Sequence, residues 1–283
     1  MMSGVATLSN HPGANEAALA SRAKLDRAAK VESLSVRAVQ LVIALAFFGL
    51  WEWGARAGFI SSFLFSSPSE VWGLASNRLK DGSLIYGAYV TGLETLIGFA
   101  GGSLLGTALG LGLWYSKFLA RVMGVFVLAL GSIPVLALGP LIIIWFGTGI
   151  ESKIVLATVS CVIVALLQAY EGAQQVDKDL IKLLTSFGAT KWQIFTKVVI
   201  PSSSSWVIAA AKLNVGFSLI GAVIGEYISS QHGLGNLILI AGANYNIALV
   251  LLGIFSLMLL AFALSSAVGF LERRLLAWKL AGR

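Results

Sequence analysis

The sequence is poor in the residues from which soluble catalytic and metal sites are built. Its 283 residues include one cysteine and two histidines. A single cysteine, Cys161, excludes a disulfide framework and a thiolate metal cluster. His11 and His232 are too few and too far apart to indicate a metal site. The chain also lacks a G-x-x-x-x-G-K-S/T loop to hold nucleotide phosphates. We therefore expect no metal, no cofactor and no covalent catalysis.

Charge is scarce as well, and apolar residues are abundant. Only 12% of the residues are charged, 57% are hydrophobic, and the mean hydropathy is +0.86. A soluble domain of this size could not keep so much apolar surface from water, so the composition predicts a polytopic membrane protein. The net charge is +7, and the basic residues cluster mainly beside apolar segments. Membrane topology explains this distribution better than binding to nucleic acid does.

Six segments are apolar and long enough to cross a bilayer, which requires roughly 20 residues. The predicted fold class is therefore all-α, with six transmembrane helices at about 36–53, 95–114, 122–146, 154–170, 206–225 and 247–271. The predicted organisation is an N-terminal tail at 1–34, a first transmembrane helix at 35–57, an external connector with an amphipathic helix at 58–85, a main transmembrane domain at 86–272, and a C-terminal tail at 273–283. The N-terminal tail is expected to be mostly disordered, with a basic surface helix near 21–30.

Lysine and arginine are distributed unevenly between the predicted loops. If the N-terminus is cytoplasmic, fifteen of the 20 basic residues lie inside, Lys212 lies in the fifth span, and only Arg56, Arg78, Lys80 and Lys153 lie outside. By the positive-inside rule, we expect a plasma-membrane protein with both termini and the segment 171–205 in the cytoplasm.

The segment 177–201 is a charged, amphipathic insert between two spans. Leu180, Leu183, Leu184 and Phe187 form one apolar helical stripe, and Asp177 or Asp179 can cap the start of that helix.

Gly188 is placed to end the first helix of the insert in a left-handed conformation. Thr190 can cap a second short helix that carries Trp192, Phe195 and Val199 and ends at Pro201. This pattern favours a helix that docks on a cytoplasmic protein, and the alternative is an interfacial helix resting on lipid headgroups.

Glycine and proline mark two of the spans. Gly98, Gly102, Gly106 and Gly110 recur every four residues and predict close packing against a neighbouring helix. The third span should kink or break, because it contains Gly131-Ser132-Ile133-Pro134 and Gly139-Pro140. A helix broken in this way either lines a pathway or is bent for packing alone.

Polar residues within the spans are candidates for a pathway or a gate. Lys212 can snorkel, form a pair or face water. Asn214 suits helix packing, Glu226 can cap the following turn or form a gate, and Glu94 is expected to start the second span. The full candidate set is Ser132, Pro134, Lys212, Asn214, Ser218 and Glu226, with Thr158 and Ser160 as further lining residues.

The insert resembles a known signature. Gly188, nine residues and then Val198-Val199-Ile200-Pro201 resemble the cytoplasmic loop of binding-protein-dependent ABC importer permeases. The loop departs from that pattern at its start, because Lys182-Leu183-Leu184 replaces Glu-Ala-Ala. Any salt bridge of that glutamate is therefore absent here or reversed in sign.

Three further elements are similar to the nitrate/sulfonate/taurine group of these permeases. They are Ser66-Ser67-Pro68-Ser69-Glu70-Val71-Trp72, the run from Ile133 to Gly147, and Gly225-Glu226-Tyr227-Ile228-Ser229-Ser230 with Gly233-Leu234-Gly235. They follow the family's order over residues 65–275.

The resemblance implies a type I ABC importer permease in the inner membrane. It implies a homodimer with two copies of an ATPase subunit and an extracytoplasmic solute-binding protein. The solute would be a sulfonate, taurine, nitrate, bicarbonate or similar, or alternatively a thiamine-precursor pyrimidine. The ATPase contacts it implies are Asp179, Leu180, Lys182, Leu183, Phe187, Gly188, Ala189, Thr190, Trp192, Phe195 and Pro201. Other classes weighed are a secondary transporter, an intramembrane enzyme and a recruiting scaffold.

Overall fold

The computed structural model describes residues 12–275 and is helical throughout its regular elements, as predicted. The helices are α1 Pro12–Arg56, α2 Ser62–Phe65, α3 Pro68–Lys80, α4 Ser83–Tyr115, α5 Lys117–Gly131, α6 Val135–Phe146, α7 Ile150–Gln174, α8 Lys178–Ser186, α9 Lys191–Ile194, a π-helical turn Phe195–Val199, α10 Ile200–Ser229, α11 Leu234–Ala243 and α12 Ile247–Leu275. Most of the predicted C-terminal tail at 273–283 lies outside the described residues.

The described residues divide into two compact units, one ending at Ser69 and the other beginning at Glu70. In the first unit, the predicted helix near 21–30 lies within α1, and the prediction of disorder is wrong for the rest of 12–34, because α1 begins at Pro12. The segment is rich in alanine and has no glycine or proline between Gly13 and Gly49, so nothing interrupts a helix there. Proline is well suited to a first helical turn. Residues 1–11 of the predicted tail lie outside the described range.

Five described helices are long and apolar enough to cross a membrane. They are Val31–Arg56, Ser83–Tyr115, Ile150–Gln174, Lys191–Ser229 and Ile247–Leu271. The predicted third span is instead a bent pair, α5 and α6, with an angle of 93° between them. The break falls at Ser132–Pro134, which confirms the prediction from that motif. Pro140, by contrast, lies inside α6 and does not end it.

The second span begins earlier than predicted. Sequence placed its start near Thr95, after Glu94, whereas α4 begins at Ser83. A carboxylate inside a span is normally costly, and that cost suggested a boundary. The Glu94 side chain is instead buried, with Glu226 and Lys153 close to it, so the helix continues through this position.

The glycine face of α4 packs directly on α7, as its four-residue spacing predicted. All four glycines are buried. A side chain on any of them would collide with α7: a Cβ on Gly102 would lie 2.6 Å from the carbonyl oxygen of Thr158. The facing pairs are Gly98 with Ala157, Gly102 with Cys161, Gly106 with Ala165 and Gly110 with Ala169.

These pairs show that α4 and α7 run parallel, because residue numbers rise together along both helices. The chain between Tyr115 and Ile150 must therefore return along the full length of the bundle. The contacts follow that course: Val127 of α5 packs near Leu166 of α7, and further along Gly131 faces Ile163. The bent pair thus makes one crossing, which gives six within residues 12–275.

Helix α10 runs antiparallel to both helices and completes the centre of the bundle. Its Asn214 amide donates to the Ser103 hydroxyl at 3.0 Å, and its Ser218 hydroxyl donates to the Thr95 carbonyl at 2.7 Å. Gly221 of α10 approaches α7 so closely that a Cβ would lie 2.7 Å from the Ala157 Cα. Three helices therefore meet through glycines and buried polar groups.

Gly102→Ala tests this packing against a matched change, Gly112→Ala. Both glycines lie in α4, but no atom lies within 4 Å of a Cβ built on Gly112. We expect Gly102→Ala to lower the free energy of unfolding by about 1–3 kcal/mol through overpacking. Gly112→Ala should leave it unchanged or raise it by up to about 1 kcal/mol, because alanine favours the helix. Thermal unfolding of both purified variants in detergent measures the difference, and equal stabilities would contradict the close approach.

Candidate functional site

The first helix of the insert, α8, has the start and the end that its sequence predicts. The Asp177 carboxylate caps it by accepting the backbone N–H of Asp179 at 2.8 Å. At the other end Gly188 has φ +79°, and the Ala189 N–H donates to the Leu184 carbonyl at 3.0 Å. This six-to-one bond with a left-handed glycine is a Schellman motif, which ends a helix sharply.

Lys182, which stands where the family pattern has glutamate, forms an ion pair within α8. Its ammonium lies 2.9 Å from the Asp179 carboxylate, and both side chains are largely exposed. Such a pair contributes little to stability in water. The charge of Lys182 is therefore partly matched within the helix itself.

The second helix of the insert has a different end from the predicted one. Thr190 and Gln193 form the predicted cap as a full capping box, with bonds of 2.8 and 3.3 Å. Pro201, however, does not end this helix: the chain stays helical from Lys191 to Ser229. The π-helical turn Phe195–Val199 precedes the proline, and a widened turn tolerates the missing N–H and the ring.

This continuous helix is too long to lie wholly within a bilayer. Its 39 residues span about 58 Å at 1.5 Å per residue. The hydrocarbon core is only about 30 Å thick. Part of this helix therefore lies outside the hydrocarbon core, and we expect that part to be the end that contains Lys191, where charge is costly to bury.

The apolar stripe of α8 divides into an outward and an inward part. Leu180, Leu183 and Phe187 are 39%, 52% and 78% exposed, and Trp192 on α9 is 62% exposed. Leu184, predicted on the same stripe, instead packs against the buried cluster inside the insert. The exposed face is thus formed by Leu180, Leu183 and Phe187 together with Trp192.

Beneath this face, an aromatic cluster fixes the insert to the end of α4. The Phe195 ring stacks on Trp114 with centroids 5.7 Å apart, meets Tyr115 edge-on at 5.9 Å, and lies 5.7 Å from Trp192. Phe195 and Ala189 are therefore supporting residues of the insert rather than parts of its exposed face. Sequence spacing could not reveal this, because Trp114 and Tyr115 are about 80 residues away.

The predicted pathway and gate residues do not gather at one place. Ser132 and Pro134 are exposed at the bend between α5 and α6, where the Ser132 hydroxyl donates to the Leu128 carbonyl at 2.9 Å. Lys212 is exposed on α10. Asn214 and Ser218 are buried, where they join α10 to α4.

Glu226 has the capping role that the sequence allowed. One carboxylate oxygen accepts the Thr91 hydroxyl at 2.6 Å, and the other accepts the Gly235 N–H at 2.5 Å, at the start of α11. Gly233, with φ +104°, makes the tight turn between them. A Cβ on Gly235 would lie 2.6 Å from the carboxylate, so this position needs glycine for space.

Sequence reasoning missed the buried cation beside this cap. Lys153, assigned to an external loop, is only 2% exposed. Its ammonium donates to the Thr148 carbonyl at 2.6 Å and to both the carbonyl and the hydroxyl of Ser229 at 3.0 and 3.1 Å. It joins the start of α7 to the end of α10, close to Glu94 and Glu226. The sequence signal that could have indicated this burial is the position of Lys153 in the first turn of an apolar helix.

Comparison with known proteins identifies relatives over most of the chain. A family model described as "Binding-protein-dependent transport system inner membrane component" matches residues 102–277. The riboflavin transport system permease protein RibX of Chloroflexus aurantiacus is 29% identical over 85% of this chain and 89% of its own length. The putative aliphatic sulfonates transport permease protein SsuC of Escherichia coli K12 is 25% identical over 89% and 95%.

The fold also has a counterpart among solved structures. A chain of the MetNI methionine ABC transporter in an inward-facing conformation aligns with a TM-score of 0.58, over 69% of this chain and 94% of that one. At 22% identity, this likeness shows the fold alone. It confirms the all-helical permease fold expected from the sequence.

The Glu226 cap generates a prediction about stability. In Glu226→Ala, the buried Gly235 N–H loses its acceptor, the Thr91 hydroxyl keeps only the Gly87 carbonyl at 3.1 Å, and Lys153 loses a nearby anion. We expect the free energy of unfolding to fall by about 2–4 kcal/mol. The control is Glu171→Ala, an exposed glutamate near the other end of the bundle, which should change it by less than about 0.5 kcal/mol. Denaturant titration in detergent measures both, and an undiminished stability of Glu226→Ala would contradict the cap.

Proposed function

The chain belongs to the family of binding-protein-dependent transport system inner membrane components, and from that premise we propose that its α8–α9 insert couples it to an ATPase. As a member, it is the permease subunit of an ABC importer and a multi-pass inner-membrane protein without catalytic activity. Such a system includes an ATP-hydrolysing partner and a solute-binding partner. Family membership sets aside the secondary transporter, the enzyme and the scaffold.

One observation carries the coupling proposal: the insert presents an apolar face to water on a rigid support. Leu180, Leu183, Phe187 and Trp192 are all exposed outside the predicted spans. Exposed apolar patches that project from a protein commonly mark partner surfaces, and a short amphipathic helix suits a groove. The capped ends of α8 and the Phe195 cluster hold this face in one orientation, as force transmission requires.

The sidedness of the protein follows from the same proposal. The insert, with Lys178, Lys182, Lys191 and Lys197, faces the cytoplasm together with both termini, supported by the excess of basic residues on that side. Two copies of the chain form the pathway, each seated on one ATPase copy. ATP binding draws the two inserts together, and the helix bundles tilt between inward-open and outward-open states.

The solute is a small polar or anionic molecule. A cavity of 260 Å³ lies where α4 starts, at the end away from the insert, and Arg78, Tyr86 and His232 line it. The arginine there suits a sulfonate-like or carboxylate-like anion. The relative named for aliphatic sulfonates agrees with this class, and the relative named for riboflavin supports a larger heterocycle instead. A thiamine-precursor pyrimidine remains the alternative solute.

Gly188→Val and Gly188→Asn form a matched pair that tests the coupling. Valine resists φ +79°, whereas asparagine tolerates the left-handed region, and no atom lies within 4 Å of a Cβ at this position. We expect strain of about 1–3 kcal/mol in the valine variant to distort the α8–α9 turn. Co-purification of the cognate ATPase with a tagged permease should fall about tenfold for Gly188→Val and stay near wild type for Gly188→Asn.

Membrane insertion should be unchanged in both variants, as gel filtration would check, and thermal unfolding should show a loss no larger than the local strain of about 1–3 kcal/mol in Gly188→Val. Normal ATPase recovery and normal solute uptake by Gly188→Val would contradict docking on the insert.

A further inference from the structure

A basic groove lies on the side of the insert opposite its exposed apolar face. It has a volume of 720 Å³ and is bounded by the α4–α5 turn, the end of α7, α8 and the loop to α9. Four of its lining residues are lysines, Lys117, Lys178, Lys182 and Lys191, and none is acidic. A concave surface with four ammonium groups attracts anions strongly.

Part of this charge is unmatched within the described protein. Lys182 is paired with Asp179 at 2.9 Å, and Lys191 donates to the Tyr115 carbonyl. No described acidic side chain lies within ion-pair distance of Lys117 or Lys178. These two lysines are exposed, so they can turn toward a ligand without losing an existing partner.

The groove and the proposed ATPase surface use different faces of α8. Lys178, Ile181, Lys182 and Thr185 recur at helical spacing and line the groove. Leu180, Leu183 and Phe187 point the other way, toward water. A ligand in the groove would therefore lie behind the docking face without competing for it.

The position of the groove indicates which anion it meets. Trp114 and Tyr115 line it at the very end of the α4 span, and tryptophan and tyrosine favour the headgroup level of a bilayer. The 33 residues of α4 measure about 50 Å, which carries this end beyond the hydrocarbon core. Ile181 and Ile194 add apolar wall beside the lysines.

We propose that this groove binds a phosphoryl group, supplied by the headgroup of an anionic phospholipid. The lysine ammonium groups surround the phosphate, and the aromatic and aliphatic wall receives the start of the acyl chains. Because the groove joins α8 to the ends of α4 and α7, the bound lipid ties the insert to the membrane-embedded bundle. The proposal is independent of the ATPase assignment.

Native mass spectrometry of the full chain in neutral detergent, titrated with short-chain phosphatidylglycerol, tests this binding. We expect saturable binding of the anionic lipid and at least tenfold weaker binding of short-chain phosphatidylcholine. In Lys117→Gln/Lys178→Gln, affinity for phosphatidylglycerol should fall roughly thirtyfold. The matched control Lys80→Gln/Lys197→Gln removes the same charge at two exposed lysines outside the groove and should bind like wild type.

The remaining outcomes decide against the proposal. Equal loss in both double variants would indicate general surface charge and overturn the site, as would equal binding of the two lipids. If inorganic phosphate at matched concentration displaces phosphatidylglycerol completely and binds as tightly, the lipid source is wrong and a free phosphoryl anion is the ligand. Thermal unfolding without lipid should be the same for all variants, since the substituted lysines are exposed.

Discussion

The glycine contact between α4 and α7 is the constraint on which the rest of the structure depends. In a bilayer, lipid tails are as apolar as leucine, so helices gain from association mainly through close packing and hydrogen bonds. Four buried glycines provide that closeness, and they fix α4 and α7 in a parallel course. Because α4 and α7 are parallel, the chain between them must cross back through the membrane, and the bent pair α5–α6 makes that crossing. The crossing made by α5 and α6 thus follows from a packing contact between their neighbours.

Buried polar groups then determine what each end of the bundle does. At one end Glu226, Thr91 and Lys153 satisfy helix termini that lipid could not, because unsatisfied backbone groups are costly in a membrane. At the other end, aromatic stacking on Phe195 supports the insert outside the bilayer. The middle is joined by the Asn214 and Ser218 hydrogen bonds. A bundle closed in this way is stiff enough to move as one body, which the proposed coupling requires.

The features of the fold that depend on nearby residues could be predicted from the sequence, and those that depend on residues distant in sequence could not. The left-handed turn at Gly188, the cap at Thr190 and the break before Pro134 depend on nearby residues alone. The early start of α4, the burial of Lys153 and the inward position of Phe195 depend on partners distant in sequence. Pro201 was misjudged for a related reason, since a π-helical turn that accommodates a proline leaves no simple pattern in the sequence.

Cysteine accessibility directly tests the central claim that parallel packing makes the bent pair cross the membrane, together with the proposal that the insert lies inside. The native Cys161 is fully buried and gives little background. With a membrane-impermeant maleimide, we predict that Thr148→Cys and Gln231→Cys are labelled in intact spheroplasts. Lys117→Cys and Ser186→Cys should react only after permeabilisation. Labelling of positions 117 and 148 from the same side, or of position 186 from outside, would contradict the account.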